Sequence, residues 1–149
     1  MNSLAIASDH GGYGLKSVLV EALTQWAIPF KDLGTHDRSS CDYPDYAHAI
    51  ATGIADGRFE RGVLICGTGV GMSIAANRHP QVRAAVVSDT YSARMAREHN
   101  DANVLCMGER VVGPGLALDI LRVWLDTDRD PNERHARRVE KINLTDPPR

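Results

Sequence analysis

The chain has 149 residues, 43% of them hydrophobic and 24% charged, with a formal net charge of -2. That length supports one domain with a real core, and the charge balance excludes a general attraction to nucleic acid or to a membrane surface. No stretch approaches the roughly 20 apolar residues of a membrane span, and Met1–Gly12 lacks the basic start and apolar length of a signal peptide.

In chain order, Leu4–Ala7 reads as a short buried strand that ends at Ser8-Asp9-His10-Gly11-Gly12. From Tyr13 to Trp26, apolar residues recur every three or four positions, which predicts an amphipathic helix. Pro29–Leu33 is a weaker second strand closed by Gly34. Pro44 starts a helix, where its missing N–H does no harm, and that helix stops near Gly57. Val63–Cys66 is the third strand, and the glycines that follow lead into a helix from about Gly71. Ala84–Val87 is a fourth strand, followed by a helix from Thr90 to about Glu98; Val104–Met107 is the fifth. Helices over Pro114–Leu125 and Glu133–Ile142 follow, separated by a polar loop, and Thr145–Arg149 reads as a tail.

Repeated strand-then-helix units, with strands apolar on both faces, predict a parallel sheet covered by helices on each side. No linker or repeat divides residues 1–149. Ligands of such sheets bind at the carboxyl ends of the strands. Unusual polar residues gather at Asp9–Gly12, at Cys66–Gly71 and at His99-Asn100, and all three clusters are expected on that edge.

Gly67, Gly69 and Gly71 form GxGxG, which misses the dinucleotide fingerprint and lacks the Lys-Ser/Thr of a P-loop. Such a loop is either a tight strand-to-helix turn or a cradle whose N–H groups approach an anion or oxyanion. Cys106 reads as a plain core residue. Cys66 stands at a strand tip beside backbone amides, where a thiol serves either as a nucleophile or as a proton-abstracting base. His99 is either a helix-end histidine favoured by the dipole or a general acid–base group. Arg134 and Arg138, at i and i+4, form either a solvated face or a phosphate clamp that reaches a partner subunit. Asp9, His10 and His99 lack tight metal-ligand spacing, so no metal is expected. Three cysteines without a CxxC pair argue for a reducing cytoplasm rather than a disulfide framework.

Together these residues resemble the ribose-5-phosphate isomerase type B family and its sugar-phosphate isomerase relatives. The matching pieces are Ala7–Gly12, Asp42-Tyr43-Pro44, Cys66–Gly71, Ile74–Asn77, Tyr91-Ser92-Ala93, Glu98–Val104, Gly108–Gly113 and Arg134–Val139, in family order across nearly the whole chain. The resemblance implies a three-layer α/β/α sandwich with a Rossmann-like five-stranded parallel sheet. A C-terminal helical extension, residues 131–149, would reach the partner subunit. It also implies a homodimer, or a dimer of such dimers, with shared active sites, a sugar phosphate as the small-molecule partner, and no cofactor.

By the match, Cys66 is the base that moves a proton between C1 and C2 of ribose 5-phosphate through a cis-enediolate, giving ribulose 5-phosphate. Thr68 assists proton movement between oxygens, and His99 opens the furanose ring. The amides of Gly67, Gly69, Val70 and Gly71 hold the enediolate, Asn100 and Asp9 bind sugar oxygens, and Tyr43 lines the site. His10, Arg110, Arg134 and Arg138 match phosphate contacts, the last two from the neighbouring subunit. One family branch replaces the cysteine by a glutamate just after the glycine loop; here that place is Met72, so the chain resembles the cysteine branch. Arg137 stands where a neutral residue is expected. The alternatives are an isomerase of allose 6-phosphate or galactose 6-phosphate and a non-catalytic sugar-phosphate-binding protein. A cysteine-nucleophile hydrolase ranks lower, since no carboxylate is seen to orient His99.

Overall fold

In the computed structural model, which describes residues 3–143, alternate residues of the central strands point into two different helical layers. The strands are β1 (Leu4–Ser8), β2 (Lys31–Asp32), β3 (Arg61–Cys66), β4 (Ala84–Val86) and β5 (Val104–Gly108). They form one sheet in the order β2-β1-β3-β5-β4, with every pairing parallel. The helices are α1 (Tyr13–Gln25), α2 (Tyr43–Ala55), α3 (Val70–Ala76), α4 (Thr90–Asn100), α5 (Pro114–Asp126) and α6 (Glu133–Ile142).

On one face Ile6, Val63, Ile65, Leu105 and Met107 pack against Leu19 and Leu23 of α1, Ala93 of α4, and Ile120, Leu121 and Trp124 of α5. On the other, Ala5, Ala7, Leu64, Cys66, Val104 and Cys106 meet Ile50, Ala51 and Ile54 of α2 and Met72 and Ala76 of α3. Each large apolar side chain so buried contributes roughly 1.5–3 kcal/mol, and the two-residue alternation is what lets one strand serve both layers. α6 lies outside this sandwich, against α4.

Two edges depart from the sequence pattern. The second strand is reduced from Pro29–Leu33 to Lys31–Asp32, because Pro29 has no N–H for the ladder. The chain then stays beside β1 irregularly: Leu33 N–H donates to Ile6 O, and Ser8 N–H to Gly34 O. β4, read as apolar on both faces, is an edge strand whose residues are only partly covered, since β5 inserts between it and β3. The tail Thr145–Arg149 lies outside the described residues.

Candidate active site

α1 leaves β1 toward one face of the sheet and α3 leaves β3 toward the other, so a crevice opens between the carboxyl ends of β1 and β3. Asp9 N–H donates to Ile65 O at 3.3 Å, which ties the two loops together. Cys66 ends β3 with its side chain on the α2 and α3 face, 5% exposed. Its Sγ accepts the N–H of Gly69 at 3.0 Å. That contact needs Gly69 in the left-handed region, at φ 83°, with the Met107 backbone where a Cβ would stand.

The turn after β5 clasps the loop from the other side. Glu109 N–H donates to Cys66 O at 2.9 Å and Arg110 N–H to Gly67 O at 3.1 Å, which lays the Arg110 side chain alongside Gly67. Asp9, Tyr43, Cys66, Gly67, Thr68, Val70, Gly71 and Ile74 line a cavity of about 440 Å³ at this edge. Cys106, by contrast, is fully buried, and burial followed by the nearby Cys66 pushes its thiol far up, as a core residue requires.

Two expected oxyanion donors are already engaged: Gly69 N–H by the sulfur, and Val70 N–H by Thr68 Oγ1 at 3.2 Å. Asp9 accepts Gly12 N–H at 3.0 Å through one carboxylate oxygen and faces the cavity. His10 sits in a short 3-10 turn, His10–Gly12, at the same edge. Its Nδ1 accepts the N–H of Cys41 at 3.2 Å, so a neutral His10 carries its proton on Nε2.

His99 and Asn100 are not there, which corrects the expectation that they share the carboxyl edge. They close α4, which runs back toward the amino end of β5, and Cys66 stands opposite Gly108 while Val104 stands opposite Gly62. Four residue steps of strand separate the two levels, roughly 13 Å. Asn100 instead borders a hollow of about 430 Å³ beside Ala84 and Asn143.

A second group forms around His99. Its ring stacks on His135 of α6, with centroids 4.2 Å apart and planes 9° from parallel. Arg134 and Arg138 are exposed beside His135, close enough to oppose its protonation. Burial first and the His99 charge second hold His135 below the usual histidine range; Asp130 pulls the other way, more strongly than either Arg134 or Arg138 pushes. Cys41 and His135 are the site neighbours that sequence reasoning passed over. His135 had a signal: with Val139 it makes a buried i, i+4 pair one residue on from the arginine pair.

No helix among the described residues is long and apolar enough to cross a membrane. Residues 4–142 match the ribose/galactose isomerase family. Ribose-5-phosphate isomerase B of Escherichia coli is 45% identical over 142 residues, covering 95% of each chain. D-erythrulose-4-phosphate isomerase of Pectobacterium atrosepticum is 42% identical over 95% of this chain and 93% of its own. The solved structure of Clostridium thermocellum ribose-5-phosphate isomerase B superposes with a TM-score of 0.92 at 50% identity, covering 95% of both chains. A five-stranded parallel sheet between helices, a cysteine at its switch point and a match across nearly all described residues lead to one conclusion: the chain is an isomerase of the ribose/galactose isomerase family.

Proposed function

We propose that the chain interconverts ribose 5-phosphate and ribulose 5-phosphate, and that each active site is completed by a second copy of the chain. The observation that carries the chemistry is the Cys66 sulfur, held by Gly69 N–H at the wall of a cavity shared with Asp9, Tyr43 and Thr68. In the aldose-to-ketose direction the Cys66 thiolate takes the proton from C2, and the electron pair moves through C1 to leave an enediolate. The thiol returns that proton to C1, while Thr68 passes the hydroxyl proton from O2 to O1. No atom is gained or lost, so no co-reactant is needed. Gly67 and Gly71 supply main-chain donors to the enediolate, since the Gly69 and Val70 N–H groups already serve Cys66 and Thr68. A positioned acid–base group contributes about 10²–10⁴-fold, and one oxyanion donor roughly 10²–10³-fold.

His99, Asn100, Arg134 and Arg138 lie at the opposite edge of the same chain and cannot reach this cavity from there. A two-fold partner places its own group against the first chain's cavity and receives the reciprocal contact, so one interface makes two whole sites. Tyr43, Val70 and Ile74, exposed large hydrophobics at the cavity wall, are the surface a partner would cover. In each completed site His99 opens the furanose ring, Asn100 and Asp9 bind sugar oxygens, and His10 and Arg110 with the partner's arginine pair hold the phosphate.

Mixing two impaired variants, assayed at substrate far below KM where both homodimers turn over little, tests the assembly. A heterodimer of Cys66→Ala and Arg138→Ala chains carries one fully wild-type site and one doubly damaged site. Statistical mixing then restores about a quarter of wild-type activity; no restoration would mean that each site belongs to one chain. Substrate length is the second reading. The relative named for D-erythrulose 4-phosphate motivates comparing ribose 5-phosphate with erythrose 4-phosphate and allose 6-phosphate. A preference for a four- or six-carbon sugar would replace the five-carbon assignment while leaving the proton chemistry in place.

A further inference from the structure

An imidazole that is to open a sugar ring must be held at a fixed angle, and a helix-end side chain has two free torsions with which to escape. His99, half-buried in the last turn of α4, has no hydrogen bond to its ring among the described residues. What fixes its plane is His135, stacked beneath it at 4.2 Å and 9°. His135 is 4% exposed and is set in turn by the loop that joins α5 to α6. Asp130 N–H donates to Glu98 O at 3.0 Å, its carboxylate accepts Asn132 N–H at 2.9 Å, and Asn132 caps α6 through Arg134 N–H at 3.0 Å. The other Asp130 oxygen stands 3.5 Å from His135 Nε2, too far for a full hydrogen bond. The contacts thus close a circuit from α4, through the loop, into α6 and back onto the His99 ring.

We infer that His135 is the positioning residue for His99: it serves as an aromatic plate that sets the His99 ring plane. The inference rests on the ring-opening assignment made above and deepens it. The charges around His135 fit a plate rather than an acid. Burial, His99, Arg134 and Arg138 all disfavour its protonation, and only Asp130 favours it. A proton on Nε2 would face the Asp130 carboxylate at 3.5 Å, yet would also stand against another imidazole and two guanidinium groups.

The test uses substrate form. Ribose 5-phosphate closes a furanose ring, whereas ribulose 5-phosphate, with O5 phosphorylated and the carbonyl at C2, stays open. Replacement of His135 is read in both directions. His135→Ala should lower kcat for ribose 5-phosphate at least about tenfold, because a misplaced catalytic ring is costly, while ribulose 5-phosphate turnover stays within about twofold. His135→Phe keeps a flat ring in the same place and should recover most of the loss; it also guards against an alanine variant that fails to fold. In a double variant with His99→Asn, the His135→Ala change should add nothing, since it acts through His99. The wild-type His99 ring proton should show an upfield ring-current shift in NMR spectra that the alanine variant loses and the phenylalanine variant keeps. Equal losses on both substrates, or a phenylalanine variant no better than alanine, would overturn the positioning assignment. Wild-type enzyme that isomerises sugar phosphates but is indifferent to His99→Asn would instead remove the ring-opening assignment itself, and the inference with it.

Discussion

The two ends of the sheet are built on different principles. At the carboxyl edge, the Cys66 loop is locked by main-chain contacts to Gly67, Gly69 and the turn after β5, and its chemistry is buried. At the amino edge, His99, Arg134 and Arg138 are side chains on two helix surfaces, held by one ring stack and one loop. On the proposed chemistry, proton abstraction next to a carbonyl, which tolerates little misplacement, falls to the rigid edge. The proposed ring opening and phosphate anchoring fall to side chains on helix surfaces, which suit a group delivered across the proposed interface.

That contrast predicts unequal damage. Cys66→Ala should lower turnover by about 10²–10⁴-fold, the contribution of a positioned base, while isothermal titration still detects a phosphate-bearing ligand. Turnover near the wild-type level would take the base away from Cys66. Gly108→Ala attacks the same edge without touching a reactive group: a Cβ there would stand 2.5 Å from Thr68 Cα, and backbone cannot step aside. It should cost about 1–3 kcal/mol in denaturant unfolding and lower activity by up to about 10²-fold through displacement of the loop. Gly115→Ala, at an exposed position in the first turn of α5 where a Cβ meets nothing within 4 Å, is the matched control and should leave stability unchanged or raise it by up to about 1 kcal/mol.

At the other edge the damage should fall on binding. Arg134→Ala or Arg138→Ala should raise KM for a sugar phosphate about tenfold or more, as loss of a charge-assisted contact does, with a smaller change in kcat. A fall in kcat with KM unchanged would mean that these arginines are not anchors.

The carboxyl edge could be read from local pattern because its signals are local. Apolar runs at Leu4–Ala7, Val63–Cys66 and Val104–Met107 mark the buried strands, and the glycines after Cys66 mark the turn. Strand order is not local: nothing within Ala84–Val86 says that β5 will insert between it and β3. The placement of His99 failed for a reason that connectivity does contain. A residue that follows a parallel strand lies at the carboxyl edge, whereas one at the end of the next helix has returned to the amino edge, and His99 precedes β5. The burial of His135 was also encoded, in its spacing to Val139, but that pair lies only one residue along from Arg134 and Arg138, whose charge dominates the adjacent stripe of the same helix.

The smallest expected effect is on stability against pH, and it separates two helix contacts histidine by histidine. His79 follows α3, and its Nε2 lies 2.7 Å from His48 Nδ1 on α2, so one proton is shared where two would repel. Burial first, and His48 second, hold His79 below the usual histidine range. His135 is held down likewise, by burial, His99 and the two arginines against Asp130. In both cases the unfolded chain takes up the proton first as pH falls through about 6.5, so the folded state loses stability below that value and regains it above. Thermal midpoints should therefore decline between pH 7 and pH 5. His79→Asn should flatten the part of that slope that belongs to the α2 and α3 layer, and His135→Phe the part that belongs to the α4–α6 contact. If His135→Phe left the slope unchanged while His79→Asn abolished it, the α4–α6 contact would carry no protonation cost. The uncharged plate under His99 would then have to be explained by packing alone.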